Sequence, residues 1–360
     1  MTRLVAGAAG PPAEPYDVDI IILALERAEE TVDAIASASA QRGVLAHIFV
    51  LDQGSCAATL ERFARTVQGR RDVTLLATER NLGVAGGRNL LSALGHGRVI
   101  VALDNDAEFA GSDTVARMIT ALDADPRAGV IGCRIVSYSD GNDDLSSWGY
   151  PAALLPRAAD SFDAVTYVGA GHAILRETWR QAGGYDAKLF FCWEEFDFSL
   201  RAIALGWRIR YRGDIVVRHK VCPRQRVGWT TARWFYFVRN RIYIARKLDQ
   251  GWVELLPRIA GYLIKGTRNG LPVQTLRAIR AAIAMSPHAT RATSPHAARA
   301  MPPHATDATS PHATRVMPPA GLSYLIRNDR LHRGSLWHRL THEVLSRIGA
   351  PPAAASPAKR

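Results

Sequence analysis

Asp104-Asn105-Asp106 closes an apolar run, Val101 to Leu103, and Glu108 follows two residues on. Carboxylates this close repel one another unless water or a cation screens them. Two acids on one short loop can hold a divalent ion together with substrate phosphates, and Mg²⁺ and Mn²⁺ favour such oxygen-rich sets. The other account is a solvated strand end. A second acidic group, Glu194, Glu195 and Asp197, stands among Phe190, Phe191, Trp193, Phe196 and Phe198. Acids at a helix start are favoured by the helix dipole, which would make this a capping cluster. Acids packed among aromatic rings have raised pKa values, which would suit a general base. His219 ends a strand-like run, where it could contact a metal or a phosphate. Asp52, in FVLDQGS, can accept hydrogen bonds from a ribose or base, or close a turn with Gly54 and Ser55. In ERNLGVAGGRN, Glu79 to Asn89, the glycines allow close backbone approach. The helix start after them would offer N–H groups to an anion. The spacing is neither G-x-G-x-x-G nor a P-loop, so a Rossmann cofactor site is unsupported.

These residues need elements to position them. From Asp19, short apolar runs (DIIILAL, AHIFVLD, VTLLAT, RVIVALD) alternate with amphipathic segments (EETVDAIASASAQ, TLERFARTV, GRNLLSAL, DTVARMITALDAD). That pattern predicts an α/β fold with a mostly parallel sheet covered on both faces. Ligands of such sheets bind beyond the carboxyl ends of the strands, where Asp52 and Asp104 to Asp106 lie. Further on, VIGCRIV reads as a strand and SDGNDDLSSWGYP as a loop. TYVGAGHAILRETWRQAGGYD reads as strand, turn, strand and short helix, WEEFDFSLRAIALG as a helix, and WRIRYRGDIVVRH as two short strands.

The 360 residues carry a formal charge of +12 and are 48% hydrophobic, which excludes wholesale disorder and suits an anionic partner. Nucleic acid is disfavoured, because the basic residues follow the acid-rich site rather than line it. The four cysteines are scattered without C-x-x-C, so neither zinc nor a disulfide framework is expected. No apolar run is long enough to span a membrane. The expected organisation is a disordered leader (1–17), a catalytic domain (18–228) and a basic helical extension (229–285). An octapeptide-repeat linker (286–320), a helical segment (321–349) and a disordered tail (350–360) follow. The repeat (SPHATRAT, SPHAARAM, PPHATDAT, SPHATRVM) is proline-containing and poor in large apolar residues, so it cannot build a core.

Taken in order, a strand-end Asp, N-x-G-x-x-G-G-x-N, D-x-D, G-A-G-H, E-E-x-D-F and R-H resemble glycosyltransferase family 2. These are inverting nucleotide-sugar transferases of GT-A-type fold. The resemblance runs from about Asp19 to Lys247, and FYFVRNRIYIARK looks like the helix after the catalytic domain in bacterial rhamnosyltransferase-like members. It implies a GT-A-type domain with a C-terminal helical extension, and a single sugar moved from a nucleotide diphosphate to an acceptor hydroxyl. It implies Glu195, with Glu194 beside it, as general base. Asp52, Asn81, Gly83, Gly87, Asn89, Asp104 and Asp106 would bind the donor. Gly171, His172 and Asp197 would lie by the donor sugar and acceptor, and Asp106 and His219 at a divalent metal, Mg²⁺ or Mn²⁺. The implied partners are a UDP- or dTDP-sugar and a glycan, lipid-linked or small-metabolite acceptor. The expected location is cytoplasmic, with peripheral association at the inner membrane face.

There are departures. Thr-Tyr-Asn-Arg after the first strand is replaced by Ala24-Leu25-Glu26-Arg27. Glu195 stands where the family usually has Asp. The Q-x-x-R-W of processive members has no match in RQRVGW. Two alternatives stay open: a sugar-nucleotide-binding relic without turnover, and a sugar nucleotidyltransferase, which should carry a basic Gly-rich loop where LALERAEE stands.

Overall fold

The computed structural model describes residues 2–220, 231–248, 252–286 and 317–348. Ten strands form one sheet: β1 (Thr2–Gly7), β2 (Val18–Ala24), β3 (Ala46–Asp52), β4 (Val73–Thr78), β5 (Val99–Asp104), β6 (Ala107–Phe109), β7 (Ala128–Ser137), β8 (Ser161–Ala164), β9 (Gly171–Leu175) and β10 (Arg208–His219). Their order is β1-β4-β3-β2-β5-β9-β7-β10-β6, with β8 also on β10. The parallel core β4-β3-β2-β5 is linked by α1 (Ala28–Ser39), α2 (Ala57–Val67) and α3 (Gly83–Leu94). Side chains alternate across the pleat. Ile20, Ile22, Val50, Val101 and Leu103 fill one layer, while Ile21, Phe49, Leu51, Ile100 and Ala102 fill the other. With both faces buried, the strands are apolar at most positions, which is why they are so legible.

The leader is a correction. Thr2–Gly7 pair antiparallel with β4 and close the sheet's edge. The segment is too short and too rich in small residues for composition to reveal it, and backbone pairing with an open edge supplies its stability. WRIRYRGDIVVRH is also one strand rather than two. Its register shifts between Arg212 and Val216, so its first half meets β8 and its second half meets β6. That bulge brings His219 opposite Ala107, next to Asp106.

Helices α4 (Thr114–Asp123), α5 (Arg176–Ala182) and α6 (Glu194–Ala204) complete the sheet's cover. Three more, α7 (Thr231–Lys247), α8 (Trp252–Arg268) and α9 (Pro272–Ala284), pack around their own core of Trp234, Val238, Ile242, Leu255, Ala278 and Ala282. The interleaved aromatics of α7 therefore largely face protein. α10 (Pro319–Asn328) returns to the sheet, where the Tyr324 hydroxyl donates to the carbonyl of Ala164 at 2.8 Å. Among the described residues no helix is long and apolar enough to cross a membrane. Cys56, Cys133 and Cys192 are free thiols, with Cys133 buried and Cys56 exposed. Cys222, RQRVGW, the repeat from 287 to 316 and the 350–360 tail lie outside the described residues.

Candidate active site

Strand β5 runs out at Asp104, and Asn105-Asp106 turn the chain into β6. Asn105 donates to the Thr31 hydroxyl at 3.0 Å, which pins the turn to α1. Carboxylate oxygens of Asp104 and Asp106 and a ring nitrogen of His219 all lie within 4.8 Å of one another. Two oxygens and an imidazole converging at a strand end are a donor set that a Mg²⁺ or Mn²⁺ ion can use.

The chain's own charges fill this cluster. His219 Nε2 lies 3.3 Å from Asp106 Oδ1, and Nδ1 lies 3.0 Å from Asp144 Oδ2. Burial opposes the imidazolium, but hydrogen bonds to Asp106 and Asp144 outweigh it and raise its pKa to about 9. To ligate a metal through Nε2, His219 would give up its contact with Asp106 and keep Nδ1–H on Asp144, a carboxylate–imidazole–metal arrangement. Arg27 also donates to Asp106 Oδ2. It is aimed there by left-handed backbone at Glu26 and Arg27, φ 53° and 54°. The Glu26 carboxylate holds that turn by accepting from Cys56 N at 2.8 Å and the Thr59 hydroxyl at 3.0 Å. Thus Glu26, one of the departures, braces the turn that aims Arg27, the residue the pattern keeps, at the acid cluster.

The second half of the site is held by Arg88. Its guanidinium is buried and forks: Nη1 donates to Glu195 Oε1 at 2.9 Å, while Nη2 donates to Asp104 Oδ1 at 2.9 Å and to the Gly169 carbonyl at 2.8 Å. One side chain thereby ties the general-base candidate to the D-x-D turn. A Cβ at Gly169 would lie 2.5 Å from Glu195 Oε1, so only glycine leaves room for this contact. Burial raises the Glu195 carboxyl, with Arg88 acting against the rise. Burial and the neighbouring Glu195 charge push Glu194 well above the carboxylate range, and its Oε2 has no hydrogen-bond partner.

The approach to these glutamates is strained. Phe190, Cys192 and Trp193 have φ of 63°, 71° and 73°, and each left-handed non-glycine residue costs about 1–2 kcal/mol. Helix α7 holds them. Buried Asn240 donates to the carbonyls of Leu189, Phe191 and Cys192, each at 2.8 Å, and Trp193 Nε1 donates to the Phe237 carbonyl at 3.0 Å.

The other expected residues are placed differently. Asp52 is buried and accepts from Gly54 N at 3.2 Å and Ser55 N at 3.3 Å, the turn alternative. The glycine-rich stretch is not a loop closing over a ligand: α3 begins at Gly83. Its first N–H groups are not free either, because the Phe190 carbonyl accepts from Val84 N at 2.7 Å. Gly83 permits that closure, since it has φ 72° and a Cβ there would lie 2.3 Å from the Phe190 oxygen. Asn81 caps Gly83 N at 2.7 Å. Gly87 packs on Leu23. Asn89 clips both the N–H and the carbonyl of Tyr185, at 2.9 and 2.8 Å. Gly171 packs against Val217. His172 is buried, 3.2 Å from the Tyr185 hydroxyl, and burial lowers its pKa well below the usual value. Asp197 joins a buried ion cluster with Lys247 at 2.6 Å and Arg201 at 2.9 Å, which locks α6 to α7.

The structure thus brings together Asp104, Asp106, His219, Glu194 and Glu195, and adds Arg88, Arg27, Asp144 and Asn240. Arg88 stood within the glycine stretch, where a lone Arg-Asn pair carried no recognisable spacing. Asp144 and Asn240 are remote in sequence and gave no signal.

The family model for glycosyl transferase family 2 matches residues 19–180. Succinoglycan biosynthesis protein ExoO of Rhizobium meliloti (strain 1021) is 38% identical over 116 residues, 32% of this chain. That match spans about a third of the relative's own length, 32%. A crystal structure of GalNAc-T7 with UDP, GalNAc and Mn²⁺ superposes with TM-score 0.56 at 16% identity, over 74% of this chain and 55% of that one. The mannosyltransferase PcManGT from Pyrobaculum calidifontis, in complex with GDP-Man and Mn²⁺, gives TM-score 0.48 at 18% identity, over 89% of each chain. The likeness to GalNAc-T7 is one of fold, and that fold is the GT-A type. Over residues 19–180 the chain is thus similar to glycosyl transferase family 2.

Proposed function

We propose that this protein is an inverting glycosyltransferase that moves one sugar from a nucleotide-diphosphate donor to an acceptor hydroxyl. The observation that carries this reading is the Arg88 fork, which fixes Glu195 and Asp104 to one guanidinium, 2.9 Å from each. Asp104, Asp106 and His219 would hold a divalent ion, Mn²⁺ or Mg²⁺. When bound, that ion would neutralise charge on the diphosphate leaving group. The Glu195 carboxylate takes the proton of the acceptor hydroxyl while the hydroxyl oxygen bonds to the anomeric carbon. The bond from that carbon to the diphosphate oxygen breaks, and its electron pair leaves with the diphosphate. A single in-line displacement inverts the configuration. Arg27 adds a positive charge at the diphosphate end.

UDP- and dTDP-sugars are the first donors to test, with Mn²⁺ as the first ion because GalNAc-T7 was crystallised with UDP and Mn²⁺. Single transfer, a glycan, lipid-linked or small-metabolite acceptor, and a cytoplasmic location complete the reading. Peripheral membrane association is supported by α9, whose exposed Val273, Leu276, Arg277, Arg280 and Ile283 share one face. One observation favours the relic reading: Arg27 already occupies Asp106.

Calorimetry of UDP and dTDP, with Mn²⁺ or Mg²⁺ and with EDTA, tests the site on wild type and Asp106→Ala. Metal-dependent binding lost in the variant is expected, together with slow hydrolysis of the cognate donor. Binding that ignores both metal and variant overturns the metal site. Binding without any donor hydrolysis favours the relic.

A further inference from the structure

Two half-buried arginines of the helical extension have no acid paired with them among the described residues. Arg241 lies one turn after Phe237 on α7, and Arg258 one turn before Tyr262 on α8. The Phe237 and Tyr262 rings meet at 6.2 Å, and the Arg258 charge acts on Arg241, so both arginines lie in the same seam. Arg333, just beyond α10, brings a third guanidinium whose charge acts on both Arg241 and Tyr262. Two acids face this group. Asp329 pairs with Arg333, and Glu343 lies 3.6 Å from Arg333 and 3.7 Å from Arg339. Among the described residues Arg241 and Arg258 form no ion pair, and their buried Nη1 atoms have no hydrogen-bond acceptor.

Arg241 lies instead over the Phe196 ring at 4.7 Å and the Trp193 ring at 5.5 Å, the residues that flank Glu194 and Glu195. Rings offer a cation partial compensation, but they do not accept in-plane N–H bonds. Burial and the Arg258 charge drag the Arg241 pKa down to about 9. An uncompensated buried charge is strongly unfavourable, and buried polar atoms are nearly always satisfied. The missing partner must therefore carry negative charge and several acceptor oxygens. A phosphate group has both, and its oxygens match guanidinium forks.

We propose that Arg241 and Arg258, with Arg333 beside them, form a phosphate-binding site in the α7–α8 seam, separate from the Asp104–Asp106–His219 cluster. The ligand is a phosphate ester or diphosphate, soluble or as a lipid headgroup.

The test is thermal unfolding of the full chain in EDTA at constant ionic strength, titrated with inorganic phosphate, pyrophosphate, or a short-chain phosphatidic acid below its micelle concentration. Wild type and Asp106→Ala should gain Tm along a saturating curve, which separates this site from the diphosphate end of the active site. Arg241→Gln and Arg258→Gln should each weaken the apparent affinity about tenfold or more, since each removes a charge-assisted hydrogen bond. Without ligand they should melt no lower than wild type, because each relieves a repulsion. Arg71→Gln, exposed just before β4, is the charge-matched control and should respond like wild type. Response to inorganic phosphate or pyrophosphate marks a soluble ligand, and response to phosphatidic acid alone marks a headgroup. No response to any probe overturns the proposal, as do unchanged curves in both arginine variants or a response lost in Asp106→Ala.

Discussion

Replacing Arg88 by Met tests whether one guanidinium couples the base to the D-x-D turn. The substitution keeps most of the volume and removes three hydrogen bonds, of 2.9, 2.9 and 2.8 Å. Breaking a buried ion pair costs about 3–5 kcal/mol, because the partner's charge stays behind uncompensated. The Asp104 side chain is 40% exposed, so solvent screens that half, whereas Glu195 is only 15% exposed. The lower end, about 3 kcal/mol, is therefore expected, a loss of about 4 °C in Tm for a chain of this size. Function should change in a distinct way. Arg88 holds the Glu195 pKa down against burial, so its loss raises that pKa further. A base at Glu195, as proposed, would work deprotonated, and activity would fall as pH drops through that pKa. In Arg88→Met the acid limb of the donor-hydrolysis profile should therefore move to higher pH. Arg88→Lys should keep part of the stability but not the fork, since an ammonium cannot reproduce two in-plane contacts. A variant that melts within about 2 °C of wild type, with an unmoved acid limb, would refute both the coupling and the assignment of Glu195.

Three further outcomes follow from the same geometry. Glu194 has a raised folded pKa, so wild-type stability without metal should decline as pH rises above the ordinary carboxylate range; Tm measured from pH 5 to 8 should fall less steeply in Glu194→Gln, and equal slopes would contradict the burial argument. Burial pushes Asp197 up, but Lys247 and Arg201 more than offset it and hold the carboxyl low. Its stabilisation is therefore present above the ordinary Asp range and lost as pH falls through the depressed pKa; Asp197→Asn should lower Tm at pH 7, lose less of it in acid, and leave nucleotide affinity unchanged in calorimetry. Flotation with anionic vesicles at low salt should recover wild type and lose Arg277→Gln/Arg280→Gln by about 30-fold, at about 1 kcal/mol per arginine; equal recovery would remove α9 from membrane contact.

The parallel core was legible because doubly covered strands are apolar at most positions, and their carboxyl ends were where chemistry had to sit. The acids of D-x-D were legible as strand-end residues, but their spacing alone left a metal site and a solvated strand end both open. Roles assigned within the glycine stretch were not, since a glycine that admits a ligand and one that admits the Phe190 carbonyl look identical in sequence. Asn89 and Asp197 likewise show that a polar side chain can be spent on a neighbour's backbone or a buried counter-ion.

Local composition and periodicity by themselves determined the α/β class, the strand ends and the position of the D-x-D acids at one of them, because those signals are carried by adjacent residues. Only the tertiary structure decided that His219 reaches Asp106 across a bulged strand, that Arg88 joins Asp104 to Glu195, and that Asn240 holds the strained turn before Glu194. Each of those contacts links residues far apart in the chain, and their energy comes from burial and directed hydrogen bonds that exist only once the sheet and helices have packed.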